Sequence, residues 1–391
     1  MKNILIAGGG IGGLTTALTL ARSGYVSTVL ERATKFDNLG AGIQCGANAI
    51  NVLDWLGLRD KLESVAVKPK SLEFRDYQSG KILYHVPLGV EYEQRYGAPY
   101  LHLERSRLHE ILVEAVTREY PNVLRLGVDV SQVRQNQDGV EVIDTSGNPY
   151  RCAGFVAADG VRSRFSTVSH QPLFTGHIAW RGLVPVDSIQ GLNLDKVATN
   201  FVGPGKHFVA YYVAGGELLN FVAVEDSSSA IEESWFSRRP TKHLQASFSG
   251  WHPTVERILA AITDSECDCW ALYDHRPLPS WSDARITLLG DAAHATLPFM
   301  ASGAALAIED AMVLARSLRH CENVIDAFSL YEKNRIKRCS KVQTNSRQFG
   351  RLYHIKNNWL RHGAFRALRW MPAEKENFLP SYNATSIPLT S

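Results

Sequence analysis

The sequence contains no apolar run long enough to cross a bilayer. A membrane-spanning helix needs about 18 or more consecutive apolar residues, whereas the apolar run at the start, Asn3–Ala7, is short and is followed directly by glycines. We therefore expect neither a membrane-spanning helix nor a signal peptide. Internal repeats and low-complexity segments are also missing, so the pattern excludes a repeat architecture.

Cysteine is scarce and scattered. Only Cys267 and Cys269 form a close pair, and no second pair of ligands accompanies them, so the sequence predicts no metal site. We expect reduced thiols and a cytoplasmic protein. The six cysteines are Cys45, Cys152, Cys267, Cys269, Cys321 and Cys339.

Charge of the two signs is nearly balanced, since 42 Lys and Arg face 39 Asp and Glu and leave a net charge of +3. So small a surplus argues against a nucleic-acid partner. The exception is the basic stretch from Lys333 to Arg369. Two interpretations stay open for it: a surface for a membrane or a nucleic acid, or a solvated helix that packs on the rest of the protein, which we favour.

What the sequence does contain is typical of a globular α/β protein. Its 391 residues and 45% hydrophobic content suggest two domains, or one domain that carries an insertion. Apolar periodicity predicts helices over 47–55 and 106–119, and alternation between 70 and 100 predicts a hairpin. Residues 123–133 are predicted to form a strand. Residues 178–275 are rich in strand formers with glycine turns, which favours a separate antiparallel sheet with one helix near 240–251.

The first 31 residues form the most specific pattern. An apolar strand, a glycine turn with G-x-G-x-x-G spacing, an amphipathic helix and a second strand follow one another. Such glycines allow a tight turn and the close approach of a pyrophosphate, whose charge the free N–H groups of the helix N-terminus stabilise. The pattern predicts a dinucleotide site at Gly8, Gly10 and Gly13.

Glu31 ends the second strand of this unit. A carboxylate at that position accepts hydrogen bonds from ribose hydroxyls and repels a 2′-phosphate. The dinucleotide is therefore FAD or NAD. An ordinary glycine-rich turn would not explain why an acidic residue follows the next strand.

Two further acidic residues follow predicted strands. Residues 155–158 form an apolar run before Asp159-Gly160, and residues 286–289 precede Gly290-Asp291. An acid at the carboxyl end of a buried strand belongs at the ligand crevice of an α/β sheet. A long helix is predicted to begin near Gly303, where its N-terminus can stabilise an anion.

Taken together, these motifs resemble those of the single-component FAD-dependent aromatic hydroxylases, the group A flavoprotein monooxygenases. Two more segments, 40–44 and 179–185, resemble the branch with salicylate, 3-hydroxybenzoate and 6-hydroxynicotinate monooxygenases. The resemblance covers roughly residues 1–350. The motifs that carry it, in family order, are G-x-G-x-x-G with Glu31, Asp159-Gly160, and Gly290-Asp291 with Pro298.

The resemblance implies a fold in three parts. A Rossmann-like FAD-binding domain of the p-hydroxybenzoate hydroxylase type would comprise 1–70, 100–177 and 278–325. An inserted antiparallel β-sheet domain for the substrate would comprise 71–99 and 178–277. A C-terminal helical segment would follow over 326–391.

The resemblance also implies that FAD is bound without a covalent bond. Glu31 would hold the adenosine ribose, Arg105 the phosphates or the ribityl chain, and Asp291 the ribityl chain. The helix from Gly303 would face the flavin and stabilise its reduced form. The cofactor-binding residues implied are Gly8, Gly10, Gly13, Glu31, Arg32, Ala41, Gly42, Arg105, Asp159, Gly160, Asp291, Gly303 and Ala304.

The implied reaction has two halves. NADH or NADPH reduces FAD, and O2 then adds to the reduced flavin to give a C4a-hydroperoxide, whose distal oxygen a phenolic substrate attacks. Water must be excluded, because the hydroperoxide otherwise decays to hydrogen peroxide. A loop over 40–42 would allow the flavin to swing towards the nicotinamide.

A phenol is activated by loss of its proton, so a base or a hydrogen-bond acceptor is expected beside it. His207 and Tyr211 lie four residues apart in a predicted strand over 206–213, which places both on one face. Relatives carry a His and a Tyr at these positions in the substrate pocket. The alternative is that Tyr211 belongs to a sheet core and that His207 lies on the surface at a turn.

Four further residues are assigned to the pocket. Pro298 would shape the flavin site, and we count it with His207 and Tyr211 as catalytic. Gln44, Arg181 and Phe299 would bind substrate, with Arg181 placed for a carboxylate. Gln44 replaces the His of some hydroxynicotinate relatives, and Phe299 replaces a residue that is often polar in relatives, which favours a more apolar pocket.

The motifs and the resemblance together predict hydroxylation of a small phenolic or hydroxylated heteroaromatic acid by a monomer or homodimer. Two alternatives stay open: a monooxygenase or epoxidase acting on a larger natural product, and a non-catalytic flavin redox sensor. A flavin-dependent halogenase is excluded, because Trp180–Pro185 does not match its W-x-W-x-I-P signature. The sequence leaves open NADH against NADPH.

Overall fold

Two large sheets organise the chain, with helices packed around them. The computed structural model describes residues 3–36, 41–166, 173–189, 195–228, 240–263, 267–370 and 378–390.

The α-helices within these ranges are numbered in chain order. None of them combines the length and the apolar character that a membrane span requires. They are α1 Ile11–Arg22, α2 Ala47–Trp55, α3 Arg59–Glu63, α4 Val90–Tyr96, α5 Arg105–Glu119, α6 Thr241–Ser247, α7 Pro253–Ala260, α8 Asp291–His294, α9 Gly303–His320, α10 Val324–Tyr353 and α11 Asn358–Ala367.

The strands are numbered in the same way. They are β1 Asn3–Ala7, β2 Val26–Glu31, β3 Gly42–Cys45, β4 Ser71–Asp76, β5 Ile82–Pro87, β6 Leu101–Glu104, β7 Leu124–Leu126, β8 Val130–Gln135, β9 Val140–Asp144, β10 Pro149–Cys152, β11 Gly154–Ala157, β12 Leu173–Pro185, β13 Ala198–Gly203, β14 Lys206–Val213, β15 Leu218–Asp226, β16 Cys267–Asp274, β17 Ser282–Asp283 and β18 Ile286–Leu288.

The first large sheet has six strands in the order β17-β18-β11-β1-β2-β7. All neighbours run parallel except the short edge strand β17. Because β1, β11 and β18 are parallel neighbours, their carboxyl ends meet at one edge. The three motifs predicted from the sequence therefore share that edge, and the predicted α/β class is confirmed.

The second large sheet has seven strands in the order β16-β12-β15-β14-β13-β4-β5. Its neighbours are antiparallel except β13 and β4. One face packs on α6 and α7 through buried aromatic and aliphatic side chains, among them Phe208, Phe221, Phe248 and Leu244. The opposite face carries His207 and Tyr211, since their spacing of four residues keeps them on one side.

Two predicted elements are divided in the structure. The apolar stretch 123–133 forms β7 in the six-stranded sheet and β8 in a three-stranded sheet, with Gly127 at φ +72° between them. The helix expected over 240–251 is α6 followed by α7, separated by Gly250 at φ +77° and restarted by Pro253. Glycine at positive φ ends an element and proline favours the first turn of the next helix.

A buried network of charges joins α9 to α10. Glu309 and Asp310 on α9 are fully buried. Arg335 Nε donates to Asp310 Oδ1 at 2.7 Å, and Arg338 Nε donates to Glu309 Oε2 at 2.7 Å. Burial alone would raise the pKa of Asp310, but the charges of His294 and Arg335 lower it to about 2.

The same network accounts for part of the basic C-terminal stretch. Arg335 and Arg338 point into the protein, and Arg361 on α11 is buried with Nη2 3.5 Å from Asp76 Oδ2. These three cations neutralise buried carboxylates instead of facing solvent. The finding supports the interpretation in which this stretch packs on the rest of the protein.

We expect Arg335→Leu to lower the free energy of unfolding by about 3–5 kcal/mol, because it leaves buried carboxylates without a counterion. Arg118→Leu is the control, since Arg118 is 70% exposed beside Glu119, and exposed pairs contribute less than about 1 kcal/mol. Urea unfolding of the FAD-free protein measures both. A loss below about 1 kcal/mol for Arg335→Leu would show that the network does not support the fold.

Candidate active site

The glycine turn between β1 and α1 is closed on one side and open on the other. Gly8 has φ +103°, a backbone conformation that side chains disfavour. A Cβ on Gly13 would lie 1.9 Å from the Gly8 carbonyl oxygen, whereas a Cβ on Gly10 would meet no atom within 4 Å. Gly13 thus serves the packing of the helix on the strand, and Gly10 leaves space over the N-terminus of α1.

Polar groups surround this turn. Glu31 accepts from the Gly9 N–H through Oε2 at 2.6 Å and from the Ala33 N–H through Oε1 at 2.9 Å. His109 on α5 donates from Nε2 to the Gly9 carbonyl at 2.7 Å. The N-terminus of α1 has no side-chain cap. A fixed carboxylate and free helix N–H groups are what a ribose and a pyrophosphate require.

Asp159 lies at the end of the neighbouring strand, next to Gly160 at φ +89°. Burial raises the pKa of Asp159, and its Oδ2 accepts from the Arg164 N–H at 3.3 Å. Its Oδ1 is buried without a hydrogen-bond partner among the described residues. A buried acceptor of this kind is costly unless a ligand donates to it.

The third strand end leads to α9. The Gly290 N–H donates to Asp310 Oδ2 at 3.1 Å, which ties the turn to the buried network. Asp291 follows, and a Cβ on Gly303 would lie 3.7 Å from Asp291 Oδ1. Ser302 donates its hydroxyl to the Met300 carbonyl, so no side chain caps the first turn of α9, which also includes Ala304.

The groups at this sheet edge fit a bound FAD. They supply an open glycine turn, two uncapped helix N-termini and a carboxylate with an unused acceptor. Arg105 begins α5 and is exposed, and its N–H donates to the Ala41 carbonyl at 2.7 Å. Arg32 is exposed beside Glu31.

Gly42 begins β3, which pairs with β6 in a two-stranded sheet, and it contacts the seven-stranded sheet. Its N–H donates to Asn220 Oδ1 at 2.6 Å. A Cβ at this position would lie 2.6 Å from the Tyr211 hydroxyl, so only glycine fits without a shift. The predicted loop over 40–42 is described only from Ala41, and Gly40 lies outside the described residues.

The sheet face that carries His207 and Tyr211 has a depression between them. Cross-strand partners share a face, and the row that contains Val209 lies between the rows of His207 and Tyr211. Within this row Val209, Val222 and Arg181 are partly exposed, whereas Asn200 beside Val209 is buried, as are His207 and Tyr211 in the rows on either side. The depression therefore has an apolar floor and a cation at one side.

His207 closes one end of the depression. Its ring centroid lies 5.4 Å from that of Phe299 and 5.3 Å from that of Tyr353. Burial lowers the pKa of His207 well below its usual value. The imidazole is neutral and has a lone pair to offer. The alternative with His207 on the surface is wrong, since 3% of it is exposed.

Pro298 opens the short turn that carries Phe299 to this position. The turn spans Pro298–Met300, and the Pro298 carbonyl accepts from the Ala301 N–H at 2.9 Å. A Cβ on Gly350 of α10 would lie 2.6 Å from the Phe299 ring. The close approach of α10 thus holds Phe299 against His207.

Tyr211 closes the other end. The Gln44 side chain donates to the Tyr211 hydroxyl, and Gln44 Oε1 accepts from the Tyr100 hydroxyl at 2.8 Å. Burial raises the pKa of Tyr211. Because burial disfavours the phenolate, the Tyr211 hydroxyl keeps its proton and can donate a hydrogen bond.

Arg181 is the cation of the middle row. Its guanidinium lies 4.8 Å from the Trp270 ring centroid, and its Nε lies 3.8 Å from Asp268 Oδ2. Burial lowers the pKa of Arg181, Asp268 opposes this, and Arg105 lowers it further. The nearness of Arg105 indicates that the cofactor edge and the depression adjoin.

Three residues of the site are missing from the sequence predictions. Asn220 is fully buried, and its Nδ2 has no partner among the described residues. His102 is 1% exposed with its ring 4.5 Å from that of Tyr211, and His109 contacts the glycine turn. A polar residue within the apolar run over 218–224 is the one local signal that could have identified Asn220.

The contrast between the open space at Gly10 and the closed space at Gly13 gives a test with a matched pair. We expect Gly10→Ala to leave the thermal unfolding of the FAD-free protein unchanged and to weaken FAD binding at least tenfold, because its methyl group occupies the space for the pyrophosphate. Gly13→Ala should lower the unfolding temperature, since its Cβ would clash within the protein. Fluorescence titration with FAD measures the affinity. Unchanged affinity in Gly10→Ala would contradict this placement.

Known proteins resemble this chain over most of its length. The chain is 34% identical to a 3-hydroxybenzoate 6-hydroxylase of Polaromonas naphthalenivorans over 355 residues, 90% of this chain and 88% of the relative. It is 33% identical to a 6-hydroxynicotinate 3-monooxygenase of Bordetella bronchiseptica over 365 residues, 92% of both proteins.

A solved structure is similar to this fold. Klebsiella pneumoniae HpxO, crystallised with FAD and uric acid, superposes with a TM-score of 0.85 over 97% of this chain and 95% of that protein, at 26% identity. The family model described as "FAD binding domain" matches residues 1–346. This protein therefore belongs to the FAD binding domain family, and the predicted resemblance to FAD-dependent aromatic hydroxylases is confirmed.

Proposed function

We propose that this FAD-dependent monooxygenase uses NAD(P)H and O2 to hydroxylate a small aromatic ring that carries a hydroxyl group and a carboxylate. The observation that carries the proposal is the depression between His207 and Tyr211. At about 3.3 Å per residue, their Cα atoms are about 13 Å apart. Both side chains leave the same face of the sheet, and an interval of this length accommodates one substituted ring.

The side chains at the two ends of the depression have opposite roles, since one accepts a proton and the other donates a hydrogen bond. His207 is a neutral imidazole, which accepts the proton of a phenolic hydroxyl and so increases the electron density of the ring. Tyr211 keeps its proton and donates a hydrogen bond to an oxygen of the substrate. Environments that separate two groups into an acceptor and a donor are typical of active sites.

The remaining side chains orient the ring and exclude water. Val209 and Val222 contact its face, and Arg181 pairs with the carboxylate. Phe299 and Tyr353 cover the His207 end. When bound at the adjoining edge, FAD takes reducing equivalents from NAD(P)H and activates O2 for transfer to the ring.

The arrangement of the sheets supports a division into three parts. We propose that 71–99 and 178–277 form the substrate unit, because β4 and β5 join β12 to β16 in one sheet. The FAD unit takes 1–70, 100–177 and 278–325, and 326–391 form the C-terminal segment. We further propose a cytoplasmic monomer or homodimer, in keeping with six free cysteines.

The decisive experiment is stopped-flow reduction of the flavin by NADH and by NADPH, with a panel of hydroxylated aromatic acids and hydroxypyridines. We expect one class to accelerate reduction by orders of magnitude and to appear hydroxylated in the products. If no compound accelerates reduction although FAD is bound, the small-ring assignment fails. A larger substrate or a flavin sensor would then take its place.

The variant Arg181→Gln tests whether Arg181 binds the carboxylate of the substrate. The lost charge-assisted hydrogen bonds, worth about 1.5–3 kcal/mol, should raise KM roughly 10- to 100-fold for a carboxylated phenol. The same phenol without its carboxylate is the control, and its KM should change little. Equal effects on both compounds would show that Arg181 acts on the fold and not on the substrate.

A further inference from the structure

A chain of three side chains leads away from His207 on the side opposite the depression. His207 Nδ1 lies 2.8 Å from His354 Nε2, and His354 Nδ1 lies 2.6 Å from Asp226 Oδ1. They come from β14, the residue that follows α10, and the end of β15. His207 and His354 are 147 positions apart in the sequence.

When His354 is neutral, its hydrogen-bond partners determine where each proton resides. A carboxylate only accepts, so His354 carries its proton on Nδ1 and donates to Asp226. His354 Nε2 then has a lone pair, which accepts from His207 Nδ1. His207 Nε2 is left with a lone pair, and it has no hydrogen-bond partner among the described residues. The second nitrogen of a histidine is fixed in this way by the partner of the first.

The exposed fraction of the side chain rises from His207 through His354 to Asp226. His207 is 3% exposed and His354 is 8% exposed, whereas the Asp226 side chain is 43% exposed. The three groups thus connect a buried imidazole with solvent. A buried base that receives a proton needs such an outlet, since a charge without water or a partner is costly.

We propose that His354 and Asp226 are positioning residues that hold His207 with its proton on Nδ1 and conduct the substrate proton to solvent. The proposal rests on the proposed function. The hydroxyl O–H bond breaks as Nε2–H forms on His207, and the Nδ1 proton of His207 passes to His354 Nε2. The Nδ1 proton of His354 then passes to Asp226, which releases it to water.

The electrostatics agree with this direction. Burial lowers the pKa of His207, so the ring does not retain a second proton. Burial would raise the pKa of Asp226, but the hydrogen bond from His354 lowers it. Two other titratable groups face these three side chains: His177 on β12, with Nε2 3.5 Å from Asp226 Oδ1, and Lys356, whose charge also lowers the Asp226 pKa.

A metal ion bound here would reverse which nitrogen of each histidine carries the proton. Ligand atoms of His177, Asp226 and His354 lie within 4.8 Å of one another. A cation there would take the lone pair of His354 Nδ1 and move the proton to Nε2. His354 would then donate to His207 Nδ1, and His207 would carry its proton on Nε2. The protonated nitrogen of His207 therefore distinguishes the two arrangements.

The first test is 15N NMR of the FAD-loaded protein labelled at histidine, without substrate. We expect His207 to be protonated on Nδ1 in the wild type and in His354→Gln, because the Gln amide can also donate to Asp226 and accept from His207. His354→Phe should remove this preference. The His207 signals are assigned by their loss in His207→Gln.

His252 is the internal control in every spectrum. Its Nδ1 accepts from the Thr254 N–H at 3.3 Å at the start of α7, and it takes no part in the hydrogen bonds between His207, His354 and Asp226. Unchanged His252 signals show that a variant is folded. The proposal is overturned if wild-type His207 carries its proton on Nε2, or if His354→Phe leaves the Nδ1 proton in place.

The second test separates conduction from positioning. The oxidised FAD protein is mixed, without NAD(P)H, with the phenol that accelerates flavin reduction most, in the presence of a pH indicator. We expect His354→Gln to release the phenolic proton at least tenfold more slowly than the wild type, although its His207 tautomer is unchanged. Release at the wild-type rate would overturn the conduction step. The NMR result stands independently of whether any phenol is a substrate.

Discussion

The buried carboxylates of Glu309 and Asp310 are the constraint on which the rest of the site depends. Asp310 accepts from the Gly290 N–H and pairs with Arg335, while Glu309 accepts from Asn48 and Arg338. Charges without water must keep their partners, so α2, α9, α10 and the turn before α8 cannot shift separately. The N-terminus of α9 and the end of α10 are thereby fixed on opposite sides of the site.

A second constraint is the contact at Gly42. The Gly42 N–H donates to Asn220, and a side chain at Gly42 would collide with Tyr211, so β3 lies directly on the open face of the seven-stranded sheet. The depression lies where the two meet. This arrangement explains why a middle row of the seven-stranded sheet stays partly exposed between two buried rows: the covering elements contact the rows on either side.

Burial assigns different chemistry to similar positions on one strand. It lowers the pKa of His207 and raises that of Tyr211, because it disfavours the charged form of each. One group becomes an acceptor and the other a donor. Each group also has a polar neighbour. Gln44 hydrogen bonds with Tyr211, and His354 hydrogen bonds with Nδ1 of His207.

The sequence by itself determined the α/β class, the cofactor edge and the strand shared by His207 and Tyr211. These depend on short-range patterns: glycine spacing, an acid after an apolar run, and a period of two. The roles of Asn220, His354 and Arg335 were decided by the tertiary structure, and so was the break of one expected helix into α6 and α7. Residues 147 positions apart meet only through the packing of α10 on α9 and the register of β14, and no local pattern encodes such a meeting.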